Sequence, residues 1–184
     1  MISKALSVTA GLILLLAAVA CNPTEDAGST NSGTASATGT STATNTTTPP
    51  AATWGNAPDF SYTTFDGQQK KLSQHLGKPV VVNFWAVSCP PCKHEMPVLQ
   101  AVYDKHRGDF DVLILAVDPN GDPQGYLKEN GFTMPAGLDM SGFQQYGTGS
   151  IPLTLFIDRN GNKVDTKLGG MSESEFEGLV GKIL

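Results

Sequence analysis

The sequence predicts an α/β domain in which a mixed central sheet is flanked by helices. Three observations carry that expectation. Residues 80–86, Val-Val-Val-Asn-Phe-Trp-Ala, form a nearly continuous β-branched and aromatic run, the pattern of a strand buried on both faces. Residues 90–106 place Met96, Leu99, Val102 and Tyr103 on one side of a helix and Lys93, Gln100, Asp104 and Lys105 on others. The order strand, helix, strand, helix, hairpin, helix then requires helices against a sheet that is neither purely parallel nor purely antiparallel.

Each element follows in order. Ala57-Pro58-Asp59-Phe60 starts an extended region, and residues 62–65 read as a strand that turns at Asp66-Gly67 and returns through Lys71-Leu72. The buried strand at 80–86 comes after Gly77-Lys78-Pro79, and the helix at 90–106 is expected to kink at Pro97. Residues 110–117 are a second buried strand. A short helix over 123–130 is introduced by Asp122 and ends at Gly131. A helical turn is expected at 143–147. Residues 153–158 and 163–168 should pair across Asn160-Gly161 as a hairpin. The last helix opens at Ser172, which with Glu175 has capping-box spacing, and is expected to run to Leu184.

Composition restricts the function. The chain has 184 residues, 40% hydrophobic and 16% charged, with 12 Lys+Arg against 17 Asp+Glu and a net charge of −5. No basic run exists in the folded part, so a nucleic-acid partner is not expected. Residues 54–184 suffice for one domain with a core that needs no disulfide staples. Residues 22–53 hold 15 Ser or Thr, no Lys or Arg and no aromatic residue. Such a segment cannot offset its ordering entropy by burial and is expected to act as a disordered tether.

Residues 1–20 carry Lys4 and then an apolar stretch ending at Ala18-Val19-Ala20, directly before Cys21. This has the parts of a secretory signal, and the apolar stretch is shorter than the ~18 residues of a spanning helix. The small residues leading into the cysteine resemble a bacterial lipoprotein signal. That resemblance implies removal of 1–20 and lipidation of Cys21, anchoring the mature chain to a membrane.

The chemistry sits at Cys89-Pro90-Pro91-Cys92. The first cysteine follows a buried strand and the second lies in the first turn of a helix, where free N–H groups and the helix dipole favour an anion. A thiolate at Cys89 is stabilised there. Proline at 90 and 91 suits a first helical turn, and the two-residue spacer lets the sulfurs meet in a strained, reducible disulfide. A structural disulfide would usually close a longer loop. A zinc site would need two more ligands, and His75, His94 and His106 show no paired metal spacing. A redox dithiol is therefore the expected centre, with no further cofactor and no metal.

Val82-Asn83-Phe84-Trp85-Ala86, Cys89-Pro90-Pro91-Cys92-Lys93, Glu95-Met96-Pro97 and the run from Gly149 to Asp158 together resemble the thioredoxin-fold proteins of the TlpA/ResA type, over residues 57–184. Those are membrane-tethered thiol–disulfide oxidoreductases outside the bacterial cytoplasmic membrane. The resemblance implies a thioredoxin-like fold and roles residue by residue. Cys89 is the nucleophile and Cys92 the resolving thiol. Pro152 is the cis-proline beside them, leaving the backbone at Ile151 for a substrate strand. Glu95 is the acidic residue near the dithiol, able to accept the proton Cys92 must lose; an ordinary solvated helix position is its alternative. Trp85, Ser88, Pro90, Pro91 and Ile151 are placed as substrate-contacting residues, with Trp85 also expected to support the strand from the core. Ser88 stands where relatives commonly carry tryptophan. Asn83 stands where thioredoxins carry a buried aspartate, which moves proton transfer towards Glu95. His94 is expected to face solvent.

The expected partners are disulfide-containing exported proteins such as apocytochrome c, a membrane thiol transporter as electron donor, and the membrane itself through the lipid; a monomer is expected. The domain should face the periplasm or extracytoplasmic space. Three alternatives remain open. A folding oxidase uses the same residues in the opposite direction. A peroxiredoxin-like peroxidase has Thr three residues before its reactive cysteine, where this chain has Ala86. A Cu(I) carrier would use both thiolates.

Overall fold

The computed structural model describes residues 53–184. The expected signal segment, the lipidated Cys21 and the tether as far as residue 52 lie outside the described residues. Seven strands form one mixed sheet: β1 (Ser61–Thr64), β2 (Gln69–Lys71), β3 (Val80–Trp85), β4 (Asp111–Ala116), β5 (Ala136–Asp139), β6 (Leu153–Ile157) and β7 (Lys163–Leu168). Their spatial order is β2-β1-β5-β4-β3-β6-β7. The strands β3, β4 and β5 run parallel, while β1 and β6 join that trio antiparallel and β2 and β7 close the edges antiparallel.

The physical reason for β3 at the centre is its sequence: all six residues are buried, because helices and loops cover both faces. On one face Val81, Trp85, Ile114 and Phe156 pack with Met96, Leu99 and Val102 of α1 (Pro90–Lys105) and Phe176 and Val180 of α4 (Glu173–Val180). On the other, Val80, Val82, Phe84, Leu113, Leu153 and Leu155 pack with Phe60 and Leu72 from the N-terminal segment. Phe84 is the hub of that side, with Phe60 and Phe143 rings at 5.8 and 5.7 Å. Both cores lie within residues 53–184, which makes this segment a self-contained unit.

Helix ends follow the expected chemistry. Asp122 caps α2 (Pro123–Glu129) by accepting from the Gly125 amide at 2.9 Å, and Ser172 caps α4 by accepting from the Glu175 amide at 3.3 Å. The last helix ends at Val180, short of the expected Leu184; Gly181 is its C-cap and the chain finishes in turns. The first helix continues through Pro97. Two elements differ from expectation. The return strand ends at Lys71, because Leu72–His75 winds into a 3₁₀ turn that buries Leu72. The strand β5 was not expected. Helical turn α3 (Gly142–Gln145) follows it, close to the expected position.

Candidate active site

The site is built at the C-terminal end of β3, where the chain leaves the sheet and enters α1. Cys89 is the N-cap of α1: its backbone is extended, at φ −102° and ψ 102°, and its sulfur accepts the Cys92 amide at 3.3 Å. Pro90 and Pro91 occupy the next positions, where a missing N–H leaves no bond unmade. The two sulfurs are bonded at 2.14 Å with Cα atoms 5.3 Å apart. Cys89 retains 9% of its surface and Cys92 none. Of the two sulfurs, only Cys89 has surface that a partner can reach from outside.

Across from the pair, the Ile151–Pro152 peptide bond is cis. The Ile151 carbonyl oxygen lies 3.9 Å from Cys89 Sγ, so the loop before β6 abuts the reactive sulfur. Pro152 is buried and Ile151 half-buried, whereas Ser88, Pro90, Pro91 and His94 are exposed around the rim. Those exposed positions flank the cysteine pair in the chain. Trp85 is a correction: it has no exposed surface and therefore cannot contact a substrate. Its ring packs on Tyr126 at 5.6 Å, and Lys93 Nζ lies 5.2 Å from the Tyr126 ring centre. Trp85 supports the strand that carries the site.

Glu95 is not a solvated helix residue. It is 3% exposed, on the face of α1 that turns to the sheet. Its Oε2 accepts from Asn83 Nδ2 at 3.3 Å, and its Oε1 is buried without a partner. Burial pushes its carboxyl up to about 7, helped by the negative charge of Glu175 and opposed by the Asn83 hydrogen bond and by Lys167. A carboxyl that titrates near neutrality can take a proton from a thiol and release it again. A cleft of about 230 Å³, lined by Pro91, His94, Gly170, Met171, Ser172 and Glu175, reaches Glu95 from the surface.

Asn83 completes a polar group that sequence reasoning did not assemble. Besides Glu95 it donates to Thr154 Oγ1 at 2.9 Å, and Thr154 is its register partner on β6. All three side chains are buried. The available signal was a lone amide and a lone hydroxyl, each inside an otherwise apolar strand. Among the described residues, no three His, Cys, Asp or Glu side chains converge as metal ligands.

What this arrangement can do chemically is cycle between dithiol and disulfide. Two electrons and two protons pass from the cysteine pair to a partner's disulfide. Fold and site together define a thiol–disulfide oxidoreductase of thioredoxin-like fold. Comparison with known proteins gives the same class. A family model described as the AhpC/TSA family matches residues 55–165, and the chain belongs to that family. It is similar to the thiol-disulfide oxidoreductase ResA of Geobacillus kaustophilus (strain HTA426), 33% identical over 131 residues, covering 68% of this chain and 75% of the relative. Among solved structures it is similar to StoA from Bacillus subtilis, with TM-score 0.57 and 25% identity over 67% of this chain and 97% of that one. It is similar also to a putative thiol:disulfide interchange protein DsbE from Chlorobium tepidum, with TM-score 0.63 and 27% identity over 69% and 94% of the two chains.

Proposed function

We propose that this oxidoreductase works outside the cytoplasmic membrane, anchored through a lipid on Cys21, and reduces disulfides of exported proteins, with the paired cysteines of apocytochrome c among its clients. A membrane thiol transporter returns the oxidised pair to the dithiol. The observation that carries the reducing direction is the placement of a buried carboxyl, Glu95, one helical turn beyond the resolving cysteine. A negative charge held there works against a second one on sulfur, which favours thiols over thiolates and makes the dithiol a better reductant.

The steps follow from the geometry. Cys89 as thiolate attacks one sulfur of the client disulfide, forming a mixed disulfide and releasing one client thiolate. Cys92 loses its proton to the Glu95 carboxylate and attacks Cys89 Sγ. The bond between Cys89 and the client breaks, the second client sulfur leaves as thiolate, and Cys89–Cys92 closes. The client has gained two electrons and the pair has lost two. Ser88, Pro90, Pro91 and the backbone at Ile151 form the surface on which the client strand docks.

One specific observation favours an oxidase instead: the Cys92 amide donates to Cys89 Sγ, which stabilises a thiolate and so the reduced pair. Trapping identifies the clients directly. A Cys92→Ala variant of the full chain, expressed in its own envelope, cannot resolve the mixed disulfide and should accumulate adducts through Cys89 to exported proteins that carry paired cysteines. Absence of any adduct abolished by Cys89→Ser, or adducts confined to cytoplasmic proteins, overturns the proposal.

A further inference from the structure

Glu95 lies at one end of a polar row that crosses the sheet. Asn83 on β3 pairs in register with Thr154 on β6, and Thr154 pairs with Lys167 on β7. Directly paired residues project to the same face. Lys167 therefore leaves the sheet on the side where the Asn83 amide bonds to Thr154 and to Glu95. Its side chain is half-buried, and its ammonium bonds to Glu175 Oε1 of α4 at 2.5 Å. Glu175 and Glu95 line the same cleft.

A buried carboxylate is unstable unless hydrogen bonds or charge compensate it. Glu95 receives one hydrogen bond, from a neutral amide, and its Oε1 receives none. What remains is charge at a distance. Neighbouring strands lie ~4.8 Å apart, so the backbones of Lys167 and Asn83 are separated by about 10 Å. Across protein, a unit charge at that range still acts, because it is screened less than across water.

We propose that Lys167 is a positioning residue for the proton acceptor: Glu175 holds its ammonium at the end of the polar row, where the positive charge favours the ionised Glu95 that takes the proton from Cys92 Sγ. This rests on Glu95 as the acceptor in the proposed reaction. One proton moves from sulfur to the carboxylate, which later releases it to water.

The groups around Glu95 divide by element. Its own helix contributes Cys92 and His94. On β7 Lys167 lowers its proton affinity and on α4 Glu175 raises it. The strands β3 and β6 offer the neutral Asn83 and Thr154. The competing reading makes the Lys167–Glu175 pair a mere clamp between β7 and α4. A second clamp on the same strand provides the control: Asp165 pairs with Lys182 at 2.7 Å, and its register partner is the apolar Phe156.

The experiment follows the Glu95 carboxyl carbon by NMR in the reduced 53–184 domain from pH 5 to 9, alongside the pH profile of single-turnover reduction of a glutathionylated peptide. Lys167→Met should raise the Glu95 midpoint by about half a pH unit. From a midpoint of about 7, that roughly halves the ionised fraction at pH 7, and the resolution rate with it. Lys167→Arg should restore both. Glu175→Gln should lower the midpoint, and the double variant Lys167→Met with Glu175→Gln should fall between the two. Asp165→Asn, which opens the other clamp, should leave the midpoint in place. If Lys167→Met and Glu175→Gln move the midpoint in the same direction, or leave it unmoved, the pair is only a clamp and the inference is overturned. A midpoint that follows Lys167 while the rate profile stays fixed shows that Glu95 is not the acceptor, which overturns the underlying reading by a distinct result.

Discussion

Replacing Glu95 by glutamine should make the protein more stable at neutral and alkaline pH, and the size of the effect can be worked from the site. The Glu95 carboxyl titrates at about 7 in the folded protein against 4.5 for an unperturbed glutamate, with burial as the chief cause. Raising an acid's folded pKa penalises the folded state wherever the unfolded chain ionises the group. The penalty is absent below about pH 4.5, grows as pH rises, and is complete above about 7. A difference of about 2.5 pKa units at about 1.36 kcal/mol each makes it about 3 kcal/mol. Urea unfolding of the disulfide-bonded 53–184 domain, original and Glu95→Gln, at intervals from pH 4.5 to 8.5 measures it. The stability difference between the two should shift by about 3 kcal/mol in favour of glutamine from the acid to the alkaline end. The carboxylates held low, Asp111 and Asp158 among them, contribute below this window and cancel in the comparison. A difference that stays constant with pH, or one that shifts in favour of glutamate as pH rises, refutes the buried-carboxyl account.

Two further outcomes concern the scaffold. Phe84→Ala removes the hub of the second core and should cost about 3–5 kcal/mol by urea unfolding, with the potential of the cysteine pair unchanged because Phe84 faces away from α1. Gly161→Ala should destabilise by about 1–3 kcal/mol, since φ is +79° and an added Cβ would lie 2.5 Å from the Trp54 ring; a neutral result would show that this segment does not rest against the hairpin.

The fold was legible where burial writes itself into composition. The run at 80–86 has the pattern of a strand covered on both faces, and all its residues from Val80 to Ala86 are buried. The hairpin of β6 and β7 was legible from Asn160-Gly161, where Gly161 takes a left-handed turn conformation. By contrast β5 reads Ala-Gly-Leu-Asp and has neither alternation nor β-branching. It is a strand because β1 and β4 flank it, and a side chain at Gly137 would meet the Thr63 carbonyl oxygen at 2.3 Å. Local pattern carries no trace of such a tertiary requirement. The cysteine pair and Pro152 were placed from motif and order alone. The environment of Glu95 was not, because a single glutamate on a helix with charged neighbours looks the same whether it meets water or a sheet. For Trp85 the expected support of the strand from the core is what the structure shows and the substrate contact is not, because β3 is buried on both faces and offers no residue to the surface.

The reduction potential of the Cys89–Cys92 pair tests the proposed direction of electron flow most directly. Equilibrating the 53–184 domain against glutathione and dithiothreitol buffers should give a value more negative than about −220 mV, that of a donor of electrons to exported disulfides. A value near about −120 mV would contradict the reductase and establish an oxidase.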